Sequence, residues 1–246
     1  MAGIRTGIAI MGMAGFLVAG CSSSQDDATS GADSPVAQTV RTYFDATANR
    51  QFEEAAATSN PGSPARAYAE FFKNQALVGI PDSEVPSTVT TSASEATLTD
   101  PDGTTTSYGT FEFGPAGLLN TWTSTPGGPL APRIDGTDID VPLGLINVRI
   151  LGQYQYGTGG LGIVVTVSNP TNEEVSLLTR SYVSPDGVQR STEIQSGSTS
   201  GSVWLEPKAT AYALIYAADS TPRGRLALAS GTTDGRKIAD KTIQLS

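Results

Sequence analysis

Few residues in this chain could carry chemistry. Cys21 is the only cysteine among 246 residues, and there is no histidine. The lack of histidine excludes histidine-based triads, imidazole metal sites and the usual side-chain switch between about pH 5 and 8. A single cysteine makes no intramolecular disulfide and no Cys/His zinc site. What is left for catalysis is carboxylate chemistry on a cell-wall polymer, with Glu70 and Glu112 as candidates. It would need two acids facing one cleft at about 5–10 Å. Asp135, Asp138 and Asp140 lie close together, but calcium asks for about six to eight oxygens and no EF-hand spacing is present, so they read as solvated loop acids. Gly157-Thr158-Gly159-Gly160 invites a phosphate-loop reading, yet no Gly-Lys-Ser/Thr follows, and a hairpin loop fits better. Tyr68 or Tyr108 could line a pocket, although core packing is the first reading of an aromatic in a periodic stripe. This inventory points to a protein that is not an enzyme, with no catalytic residues, no cofactor and no metal.

Cys21 has a different use. Arg5 is the only charge before Asp26, and residues 7–20 are all apolar or small. This run of 14 residues is shorter than the roughly 20 needed to span a bilayer, and it has the pattern of a secretory signal. It ends in Leu17-Val18-Ala19-Gly20-Cys21, which resembles the bacterial lipobox. The resemblance implies a lipid thioether on Cys21 and cleavage after Gly20, leaving residues 1–20 as a signal peptide. Two acyl chains hold stably where one is marginal. The expected location is therefore the extracytoplasmic face of the cell membrane, with the membrane itself as a partner through Cys21.

Charge narrows the partners. Losing Arg5 with the leader takes the net charge from −9 to −10. A chain this acidic is not expected to bind nucleic acid or to lie flat on anionic lipid.

The elements follow from pattern. Residues 22–34 hold no large apolar residue and read with Cys21 as a flexible tether. Ser34-Pro35 and Ser63-Pro64 are helix-opening pairs. Val36, Val40, Tyr43, Phe44 and Thr47 form one helical face; Phe52 with Ala55 and Ala56 form a second, and Tyr68, Phe71, Phe72 and Gln75/Ala76 a third. The period then changes to two, with strands expected at 89–91, 96–99, 106–113 and 118–123 and a hairpin at Asp102-Gly103. Residues 126–138 are rich in proline and glycine and read as a linker. About eight further strands are expected across 139–246, separated by turn signals.

Two resemblances accompany this layout. The order of three helices and a meander, with the run from Ser94 to Trp122, is similar to the NTF2-like domains of bacterial envelope lipoproteins. It implies an α+β domain over 35–125, helices on a curved antiparallel sheet, with a pocket between them. The runs 163–175, 183–189 and 204–217 resemble DUF4352-like immunoglobulin-like domains of lipid-anchored proteins. They imply an all-β sandwich over 139–246, and the composition resembles that of actinobacterial-type lipoproteins. The function expected is a binding or scaffold module for another envelope component. Alternatives are a carrier of a small apolar ligand lined by Tyr43, Phe44, Phe72, Phe111 and Phe113, and a carboxylate enzyme.

Overall fold

The computed structural model describes residues 34–79, 86–136, 138–197, 199–232, 234 and 236–245. Cys21, the leader and the tether lie outside the described residues. Among the described residues no helix is long and apolar enough to cross a membrane.

Three helices open the fold: α1 (Pro35–Ala48), α2 (Phe52–Ala57) and α3 (Pro64–Ala76). Ser34 caps α1 by accepting from the Ala37 amide at 3.1 Å, and Ser63 caps α3 by accepting from the Arg66 amide at 3.2 Å. Each proline sits in the first turn, where its missing N–H leaves nothing unsatisfied. The buried face of α1 carries Val40, Tyr43 and Phe44, with Ala37 in the position expected for Val36; Val36 is exposed.

The first sheet is a five-stranded antiparallel meander in chain order. It comprises β1 (Thr88–Thr91), β2 (Glu95–Thr99), β3 (Thr105–Phe113), β4 (Leu119–Thr125) and β5 (Gly128–Pro129). The turn between β2 and β3 is closed by Gly103 N donating to Asp100 O and Asp100 N donating to Thr104 O, both at 2.8 Å. Gly103 takes φ 87°, a conformation that costs glycine little.

The second sheet has eleven antiparallel strands. They are β6 (Ile134–Asp135), β7 (Ile139–Leu143), β8 (Ile146–Gln155), β9 (Leu161–Ser168), β10 (Val175–Val183), β11 (Gln189–Ser196), β12 (Thr199–Ser200), β13 (Val203–Leu205), β14 (Thr210–Ala217), β15 (Arg225–Thr232) and β16 (Lys237–Gln244). The main path runs β16-β15-β10-β11-β14-β9-β8-β6. Strand β11 changes neighbours midway: Ser191 pairs with Ser181 of β10, whereas Thr192 pairs with Ala217 of β14. The sheet therefore folds over itself and buries Ile163, Val165, Leu177, Ile215 and Leu228 inside.

The outer face of this sheet is buried too. Val164 points away from the interior yet is fully buried, and Leu214 and Tyr154 are nearly so. All three belong to the core formed by Tyr43, Phe44, Tyr68, Phe71 and Trp122. Helix α3 is thus packed between two sheets. A bulge on β8 at Ile150–Gly152 resets its register so that Tyr154 lies opposite Gly162 on the helix side. Gly160 and Gly162 make room for rings: a Cβ on either would fall 2.1 Å from the Tyr216 hydroxyl or 2.7 Å from the Tyr156 hydroxyl.

These facts correct the expected fold class. The described residues are mostly β, 49% strand against 19% helix, and the large sheet is a half-barrel. An NTF2-like α+β domain followed by an immunoglobulin-like sandwich is not what forms. The helical face of Tyr68 and Phe71 covers β8, β9 and β14 as well as the meander. The 126–138 segment, expected as a linker, carries β5, a 3-10 turn and β6, with Leu130, Arg133 and Ile134 buried.

Sharing one core predicts that residues 34–245 unfold in a single transition, with far-UV dichroism and tryptophan fluorescence coinciding in urea. Val164→Asp, which places a charge in that core, should lower stability by more than about 3 kcal/mol and shift both signals together.

Candidate functional site

A cleft of about 760 Å³ opens where the helices and both sheets meet. Its size falls in the range of about 300–1,000 Å³ usual for small-molecule sites. Helix α3 contributes Tyr68 and Phe72, β8 and the turn after it contribute Tyr154 and Tyr156, and β3 contributes Tyr108 and Thr106. The rim is polar. Arg50 comes from the turn after α1, Ser87 from just before β1, and Asp100 and Asp102 from the β2–β3 turn.

The aromatic floor is held edge to face. Tyr68 and Tyr154 meet at 5.2 Å and 90°, Tyr154 and Tyr156 at 5.3 Å and 78°, and Phe72 touches Tyr68 at 4.6 Å. Such tilted arrangements suit the ring quadrupoles. The phenol of Tyr156 donates to Gln75 Oε1 at 3.0 Å, tying β8 to α3. On the rim, Ser87 donates to Asp100 Oδ1 at 2.6 Å, and Asp102 Oδ1 accepts the Thr104 amide at 2.8 Å. That backbone bond is the first cause of the lowered Asp102 pKa.

Behind the floor sits Arg133, only 5% exposed. Its Nη2 donates to the Tyr154 hydroxyl at 2.8 Å and to Gln155 O at 2.9 Å; Nε donates to Gln155 O at 3.0 Å and Nη1 to Ser124 Oγ at 2.8 Å. The guanidinium carbon lies 5.2 Å from the Tyr154 ring centre. One side chain thus ties the end of β4 to β8 and fixes the orientation of Tyr154.

Burial pushes the tyrosine phenols up. Tyr68 and Tyr43 rise well above the usual value, through burial first and neighbouring phenols second. Tyr108 is pushed up to about 12 by burial, with Tyr154 adding to it. Tyr156 rises further for the same first reason.

The structure separates the residues singled out from sequence. Tyr68 and Tyr108 both line the cleft. Tyr43 and Phe44 are instead buried and packed against Trp122, at 5.2 and 5.6 Å, and neither lines this cleft. Phe111 packs on Phe44, and Phe113 is partly buried beside the same core. Glu70 pairs with Arg66 at 2.8 Å on the exposed side of α3, Glu112 is exposed on β3, and neither lines the cleft. Asp138 and Asp140 face Arg149, and Asp135 lies 3.6 Å from Arg223. The Gly157–Gly160 run is a hairpin, with Tyr156 N donating to Gly160 O at 2.8 Å. Trp204 is 49% exposed on β13. Tyr154, Tyr156, Arg50 and Arg133 were missed. The one available signal was Tyr154-x-Tyr156 followed across a hairpin by Gly162, which stands opposite Tyr154 and leaves room for the Tyr156 ring.

No family model matches this chain, and no curated protein matches it.

The raised phenols fix a pH dependence. A phenol whose folded pKa exceeds its unfolded value of about 10 keeps its full stabilising contribution below pH 10 and loses it as pH rises toward the folded value. Stability should therefore fall above pH 10, with the buried phenols ionising at 295 nm only as the chain unfolds. Arg133→Ala should cost about 2–4 kcal/mol in urea melts, because it strips the donors from Gln155 O and opens a buried void.

Proposed function

We propose that this chain is a lipid-anchored binding module on the extracytoplasmic face of the cell membrane, with the tyrosine-lined cleft as its recognition site. The anchoring part rests on the sequence of residues 1–21. The observation that carries the binding part is the cleft itself: an aromatic floor built from three layers of the fold, with a rim of fixed polar groups. Concave sites with a few convergent polar groups are where small ligands and ligand segments bind. The carrier of an apolar molecule is less well supported, because Tyr43 and Phe44 are consumed by the core and the cleft rim carries charges. The catalytic reading has no support from Glu70 and Glu112, neither of which lines the cleft.

Cys21→Ser should move the protein from the membrane fraction to the soluble fraction and remove the acyl mass from the intact protein. Thr106→Trp, which fills the cleft from β3, should leave the fold and the anchor unchanged. Native mass spectrometry of the full chain from its own envelope extract then tests recognition. A bound mass or partner present on the wild type and absent from Thr106→Trp is expected; equal recovery on both would remove the cleft from consideration.

A further inference from the structure

We infer that the cleft takes a neutral carbohydrate ring, an inference that rests on the cleft being the recognition site proposed above. The floor presents the partly buried rings of Phe72, Tyr108 and Tyr156. A sugar ring has an apolar C–H face and an edge of hydroxyls that both donate and accept. It therefore needs the face of an aromatic ring flanked by donors and acceptors together. The rim supplies both kinds. Asp100 and Asp102 only accept, Arg50 only donates, and the Thr106 and Tyr108 hydroxyls do either. Asp100 accepts from Ser87 and Asp102 from Thr104, and a carboxylate has acceptor capacity beyond such bonds.

The same features disfavour the other ligand classes. A lipid chain would desolvate the rim without pairing it. An anion would meet two carboxylates on a chain of net charge −9.

Arg50 adds an independent observation. It occupies φ 58° just past α1, where Gln51 N donates to Ala46 O and Arg50 N to Thr47 O in the paired helix-ending bonds. Glycine is the comfortable residue in that left-handed position, and a side chain there is strained. An arginine in that position is a poor choice for the backbone, and the residue lines the cleft rim.

The test uses the full-length lipidated protein in detergent, titrated calorimetrically with maltotriose, mannotriose and triacetylchitotriose, and with palmitate, choline and inorganic phosphate for comparison. At least one trisaccharide should bind, with saturation transfer to its ring C–H protons. Tyr108→Ala should weaken that binding by about tenfold, the loss of one stacked ring. Tyr108→Phe should retain most of it, and Asp100→Asn should weaken it without unfolding the chain. Arg50→Gly should weaken binding while leaving Tm unchanged or raised. Binding of palmitate, choline or phosphate without any saccharide would overturn the carbohydrate assignment and leave the cleft as the recognition site. No saccharide binding, together with equal envelope recovery by wild type and Thr106→Trp, would overturn both.

Discussion

Helix α3 has one apolar stripe and two sheets to cover. Tyr68 reaches Trp122 of the meander at 5.2 Å and Tyr154 of the half-barrel at the same distance, and Phe71 meets Tyr154 at 5.7 Å. Everything else arranges itself around that double duty. Strand β9 must be apolar on both faces, β8 must bulge to turn Tyr154 toward the helix, and Gly160 and Gly162 must stay bare so that Tyr216 and Tyr156 can lie over them. The cleft is what remains at one end of this packing, where α3 and the two sheets no longer close on each other.

Arg133 shows how the join is kept rigid. Burying a guanidinium is costly unless its donors are satisfied. Here they are spread over a hydroxyl of β4, a hydroxyl of β8 and a carbonyl of β8. The desolvation cost is met by hydrogen bonds that span the chain's crossing between sheets. The crossing segment, for all its prolines and glycines, has little freedom left.

Local chemistry was readable in the sequence, and long-range chemistry was not. The Ser34-Pro35 and Ser63-Pro64 helix starts, the Asp102-Gly103 hairpin and most strands depend on neighbours within four residues, and the structure has them where the sequence points. Val164 was visible only as part of an apolar run, Ile163 to Val165. That run alternated well enough to suggest one buried face, so the second went unseen. Arg133 carried no signal, since one arginine between prolines and glycines reads as solvated. The cleft draws residues from Arg50 to Tyr156, five separated segments brought together by packing alone. Tyr68 and Tyr108 could be suspected, but their shared cavity could not.

The shared stripe of α3 also bears on how such a protein can change over generations. Cell-surface proteins are often strings of self-sufficient units that recombination can cut and rejoin. Here, excising the helices and meander would strip the cover from Val164, Leu214 and Tyr154 and leave an apolar patch on the half-barrel, a surface prone to self-association. The half-barrel cannot be lent to another architecture without a substitute for α3, so the two portions are bound to diverge together.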